Sequence, residues 1–114
     1  MTERMSHEEY VAMQRRRVVE LAQQILVGTL DVLDGSCQIA SLRGEIEVDL
    51  NDDDIMAFVD IMSETDHLPI GAEAENWSDE ALARKEADVR RARAWATDIV
   101  RQPCTNLVSR FGDV

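Results

Sequence analysis

Apolar residues recur at three- and four-residue intervals along much of the chain, and that spacing predicts helices. Behind Ser6, the residues Val11, Val18, Leu21, Ala22, Ile25 and Leu26 form one stripe, while Arg15, Arg16, Arg17 and Glu20 occupy other positions, the pattern of an amphipathic helix. Ser6 and Glu9 make a Ser-x-x-Glu capping box, in which each side chain can satisfy a free backbone donor of the first turn. Helix is expected from about Ser6 to Gly28.

The pattern then breaks. Asp31, Asp34 and Gly35 within Leu30–Gly35 favour a turn, and Cys37, Ile39, Ala40 and Leu42 give a short second helix over Ser36–Arg43. From Glu45 to Leu50 polar and apolar residues alternate, the period of a half-buried strand. A lone strand is unstable, so an extended connection or a continuing helix edge is the preferred reading, with an α+β fold as the rival.

Asn51 can cap a third helix carrying Asp52, Asp53 and Asp54 in its first turn, where the helix dipole favours anions. Ile55, Phe58, Val59 and Met62 form its expected buried stripe, and Pro69 ends it near Asp66 or His67. A loop from His67 to Trp77 follows, held by Leu68, Ile70 and Trp77. Ser78, with Asp79 and Glu80, starts the last helix, whose core face is Leu82, Val89, Ala92, Ala96, Ile99 and Val100. Pro103 is expected to kink or end it, with a further turn or two carrying Cys104, Leu107, Val108 and Phe111. The elements predict one all-α domain, an antiparallel bundle of four principal helices. Its first and last helices pair lengthwise, and the third helix with its loop closes one side.

Charge changes this picture. The 114 residues carry a net charge of -11, and the forty residues from Gly44 to Ala83 hold thirteen carboxylates and no Lys or Arg. That balance argues against nucleic acid or an anionic membrane as partner, since phosphate contact needs a clustered basic surface. It favours a basic protein partner, whose approach the field would steer. The arginines of the first helix are read as a solvated face that can pair with the acidic segment, in preference to a nucleic-acid patch. The first residues, Met1 to Met5, lack the apolar core of a secretory signal, and no apolar run approaches a membrane span. A cytoplasmic protein with reduced Cys37 and Cys104 is expected.

Candidate chemistry is sparse. Glu64, Asp66 and His67 contain the Glu-x-x-His spacing that di-iron bundles use twice, but here it occurs once, so caps and loop bonds are preferred over metal ligation. Ser63, Thr65 or Cys104 could act as nucleophile with His67 as base, yet no nucleophile elbow or cysteine-enzyme signature frames them. The glycines match no phosphate or dinucleotide loop, and no cofactor is expected. The chain reads as a binding protein and not an enzyme, with a metal-binding or hydrolytic bundle and a structural homodimer as alternatives.

At Ser63-Glu64-Thr65-Asp66-His67-Leu68-Pro69-Ile70-Gly71 the sequence resembles a family of small bacterial proteins of uncharacterised function with an S-E-T-D-x-L-P-x-G signature. The resemblance runs from about Ile25, through Leu33-Asp34-Gly35-Ser36, to Trp77 and the Ala81-Leu82 helix start. It implies a small helical fold with a structured loop. Glu73-Ala74-Glu75 stands where that family has a basic residue, which puts a shared anion-binding role in doubt. By type, a small acidic single domain is also similar to the immunity proteins that neutralise basic nuclease toxins, because a carboxylate surface can fill a cleft built for phosphates. On that reading the partner-binding residues are Asp52, Asp53, Asp54, Asp60, Glu64, Asp66, Glu73, Glu75 and Trp77.

Overall fold

The computed structural model describes residues 5–112; the lead-in before Met5 lies outside the described residues. Helices α1 (His7–Val27), α2 (Val32–Ser41), α3 (Asp53–Thr65) and α4 (Asp79–Phe111) are joined through 3-10 turns at Arg43–Glu45 and Gly71–Asn76. No strand occurs among the described residues, so the all-α reading holds and the α+β rival falls.

The helix starts follow from side-chain capping. The Ser6 hydroxyl accepts the Glu9 N–H at 3.1 Å and the Ser78 hydroxyl accepts that of Ala81 at 3.1 Å, each satisfying a donor that the helix leaves free. At the far end of α1, Gly28 adopts φ 86°, a left-handed conformation that needs no Cβ. The turn expected at Leu30–Gly35 is instead the start of α2. Asp31 accepts the Asp34 N–H at 3.2 Å as its cap, and the helix runs through Gly35 to Ser41. The same Asp-rich composition serves a turn or an N-cap, and the apolar contacts of Val32 and Leu33 decide for the helix. A Cβ at Gly35 would fall 2.7 Å from the Ile25 side chain, so the bare backbone lets α2 lie against the end of α1.

Glu45–Leu50 forms neither a strand nor a helix edge over most of its length. After the 3-10 turn, Ile46 is fully buried, Glu47 takes φ 51°, and Leu50 points to solvent. Arg15 holds this connection by donating from Nε to the Ile46 carbonyl at 2.9 Å and from Nη2 to the Glu47 carbonyl at 3.4 Å. Of the three arginines read as a solvated face, Arg16 and Arg17 are exposed, whereas Arg15 turns inward.

Helices α1 and α4 run antiparallel. The Arg15 guanidinium lies 4.9 Å from the centre of the Phe111 ring, Ile25 and Leu26 border one cavity with Val100 and Arg101, and Asp31, just past α1, pairs with Arg93. The core fills the space among all four helices with Val18, Leu21, Leu33, Ile39, Ile46, Ile55, Phe58, Ile61, Val100, Cys104 and Leu107, every one almost or wholly inaccessible. On α3 the buried residues are Ile55, Phe58, Ile61 and Thr65, while Val59 and Met62 are half-buried, because α2 and α4 cover the helix from a slightly different side than the stripe suggested. Pro103 does not end α4, which continues unbroken to Phe111. The packing of Cys104, Leu107 and Phe111 in the core outweighs the lost backbone donor.

No side chain from Asp79 to Trp95 is buried; the buried residues of α4 begin at Ala96. The first half of the helix thus extends past the end of α1, with Pro69 beside it. No helix among the described residues is long and apolar enough to cross a membrane.

Candidate functional site

The carboxylates expected to form one acidic surface separate into two groups. The first is internal. Asp52, not Asn51, is the N-cap of α3, and its Oδ1 accepts the N–H groups of Asp54 and Ile55 at 3.1 and 3.2 Å. Arg110, in the last turn of α4, reaches across and donates to both Asp52 oxygens at 3.0 and 2.7 Å and to Asp54 Oδ2 at 2.9 Å. Asn106, one turn earlier, donates to Asp54 Oδ1 at 2.9 Å. The Arg110 hydrogen bond, aided by the two backbone donors, holds the Asp52 carboxyl below the usual carboxylate range, outweighing the opposite effect of burial. The same pairing raises the Arg110 pKa. Its guanidinium also lies 5.0 Å from the centre of the Phe111 ring, so two arginines, Arg15 and Arg110, flank that ring.

The second group faces water. Asp53, Asp60 and Glu64 are exposed and fall at seven- and four-residue spacing on the outer face of α3, which places them on one line along the helix. Among the described residues none of the three is in an ion pair, whereas Arg17, Arg90 and Arg91 pair within their own helices and Arg93 and Arg110 pair with Asp31, Asp52 and Asp54. Asp66, exposed at the C-cap of α3, stands two residues from Glu64 and so on the opposite side of the helix from that line, near Glu73 of the Gly71–Asn76 turn. Asp34, Asp66 and Glu73 border one depression, with Cys37, Met62 and Leu68 in its wall. Glu75 is exposed on the same turn, and Trp77, half-buried, leads into α4. The structure therefore keeps Asp53, Asp60 and Glu64 on one line, gathers Asp66 and Glu73 around a separate depression, and takes Asp52 and Asp54 into the cluster with Arg110.

Arg110 and Asn106 were not among the expected functional residues. Their only sequence signal is the four-residue spacing that puts them on one helical face; their partners lie more than fifty positions away.

The alternative chemistries meet the same geometry. His67 Nδ1 lies 3.9 Å from Asp66 Oδ1 with both side chains exposed, and among the described residues no three His, Cys, Asp or Glu side chains are placed to hold a metal ion. The Thr65 hydroxyl is buried and donates to the Ile61 carbonyl at 2.6 Å. Burial pushes the Cys104 thiol up to about 12, so it stays protonated in the core and offers no thiolate. Cys37, half-buried and also free, is raised by burial and then by Asp34 and Asp31.

No protein-family model matches the chain, and neither a curated protein nor a solved structure does.

Proposed function

We propose that this chain is a non-enzymatic cytoplasmic binding protein whose acidic α3 face docks a basic protein, most concretely as an immunity or inhibitor protein for a basic bacterial toxin such as a nuclease. The observation that carries the reading is the line of Asp53, Asp60 and Glu64, exposed and without an ion pair among the described residues. Like charges set along one helix face repel each other and lower the stability of the free chain. A basic partner would relieve that repulsion, and the carboxylates would fill the partner's cleft that otherwise meets phosphates. The helix is a rigid support, so the carboxylates are positioned before the encounter and the cost of ordering them on binding is small.

The test is inhibition of a basic nuclease toxin encoded beside this gene, followed by association rates over a salt series. The purified chain is expected to inhibit stoichiometrically, with an association rate that falls steeply as salt rises. Replacing Asp53, Asp60 and Glu64 with Asn, Asn and Gln should slow association and flatten the salt dependence. Equal rates and slopes for wild type and the triple variant would overturn the assignment of the face.

A further inference from the structure

The first half of α4 carries a surface with a different character. Between Asp79 and Arg93 one side of the helix, bordered by Pro69, forms an open groove whose residues are Asp79, Leu82, Ala83, Glu86, Arg90 and Arg93. Leu82 is only half-buried and Ala83 is exposed. Isolated helix of this length draws little stability from its own backbone, so the exposed arm is a face that packing would stabilise.

The charges along the groove say what fits it. Carboxylates, Asp79 and Glu86, stand toward one end and guanidinium groups, Arg90 and Arg93, toward the other, with Leu82 and Ala83 between Asp79 and Glu86. Asp79 has no ion pair among the described residues, and Arg90 is 71 % exposed with only a loose 3.6 Å contact to Glu86 of its own helix. Such a face is complementary to itself when a second helix runs antiparallel and repels itself when the second runs parallel. We infer that the α4 arm pairs antiparallel with the arm of a second copy of this chain, Asp79 of each against Arg90 of the other and Leu82 of each over the Ala83 and Glu86 region of its neighbour.

The midpoint between Asp79 and Arg90 falls beside Ala83 and Glu86, so a two-fold axis there satisfies both charge pairs at once. The small Ala83 side chain lets the helices approach, and antiparallel dipoles add to the attraction. The groove spans Asp79 to Arg93, about 21 Å of helix, which places the contact among small interfaces and the association at roughly 100 µM. The inference does not rest on the acidic α3 face, which uses other residues, so each can fail alone.

The experiment is sedimentation equilibrium on the full chain from roughly 10 µM to roughly 1 mM, the range in which small interfaces form. The mass is expected to rise from one chain toward two. Leu82→Glu, or Ala83→Glu as a second variant outside the core, should hold the mass at one chain with an unchanged circular dichroism spectrum. Asp79→Arg and Arg90→Asp should each weaken association at least tenfold, and the two together should restore it. A single-chain mass across the range overturns the inference, as does a dimer that Leu82→Glu leaves intact or a paired swap that fails to restore what the single swaps lose. A chain that stays single while Leu82→Glu weakens its grip on a basic toxin would give the groove to that toxin, and would equally overturn the pairing.

Discussion

Arg110 grips both carboxylate oxygens of Asp52, at 3.0 and 2.7 Å, and so joins the last turn of α4 to the first residue boundary of α3. Asp52 already accepts two backbone N–H groups there, so a single side chain caps one helix and anchors the end of another. The guanidinium near the C-terminus of α4 and the carboxylate at the N-terminus of α3 each sit where the local helix dipole favours their charge.

Replacing Asp52 with Ala removes the cap and leaves Arg110 with Asp54 alone. The expected loss is about 2 kcal/mol, the upper part of the range for an N-cap, read as a lower urea midpoint at constant m-value. Arg110→Ala should cost about 1 to 2 kcal/mol, held down because that side chain is 36 % exposed and water screens it. Arg110→Lys should recover little, since an ammonium lacks the paired donors that match a carboxylate.

The same pair gives a signed pH dependence. The Asp52 carboxyl has its folded pKa lowered from 3.8, so its contribution is fully present above that unfolded value and is lost as pH falls through the lower folded one. The stability difference between wild type and Arg110→Ala should therefore be flat from about pH 7 to about pH 5 and shrink below about pH 4. Urea titrations of both proteins across that range measure it, and a difference that persists at pH 2 would locate the effect in packing on Phe111 instead.

Ser36 lies wholly buried in α2 with its hydroxyl unpartnered. A buried polar group without a hydrogen bond destabilises by about 1 to 3 kcal/mol. Ser36→Ala deletes that hydroxyl from a helix interior at almost no loss of volume, and a gain of about 1 kcal/mol is expected in chemical denaturation.

Pro103 interrupts the backbone hydrogen bonding of an otherwise continuous α4. Pro103→Ala restores a donor where the helix already runs, so stability should rise, by up to about 3 kcal/mol. A fall in the thermal midpoint would mean that the half-buried ring contributes more by packing than its missing N–H costs.

The division of the carboxylates makes a prediction of its own. Neutralising Asp52 and Asp54 should chiefly lower stability, whereas neutralising Asp53, Asp60 and Glu64 should leave stability nearly level, the dipole interaction lost at Asp53 offsetting the relieved repulsion between Asp60 and Glu64, and should slow association with a basic partner. Parallel denaturation and binding-rate measurements on the two sets separate these effects, which a uniform acidic surface would blend.

What could be read from the sequence was local. Ser6 and Ser78 announce their helices because capping is settled within three residues, and the period locates the buried face of α1 at Val11, Val18, Leu21 and Ala22, whereas burial on α3 shifts to Ile61 and Thr65 and on α4 begins only at Ala96. Asp31 was ambiguous because an Asp-rich start looks alike in a turn and at an N-cap until Val32 and Leu33 find the core. Pro103 misled because its local penalty is fixed by chemistry, while the Cys104, Leu107 and Phe111 contacts that overcome it are distant in the chain. The acidic segment was plain in composition. Its partition was not, because Asp52 and Arg110 are 58 residues apart and no spacing rule links them. Arg15, likewise, looked like one of three surface arginines until the Ile46 carbonyl, 31 residues on, required a donor.

Helix α4 has one more effect, on how the molecule turns in water. At about 1.5 Å per residue its 33 residues measure roughly 50 Å, which matches the longest dimension of the molecule, 49 Å, against 36 and 25 Å for the others. Its amide N–H bonds therefore point along the axis that reorients most slowly. Nitrogen relaxation in a single chain should divide by direction, with transverse rates higher along α4 than in the Ile46–Leu50 connection even where both are equally rigid. The helix thus sets the shape of the rotational diffusion tensor as well as the shape of the fold.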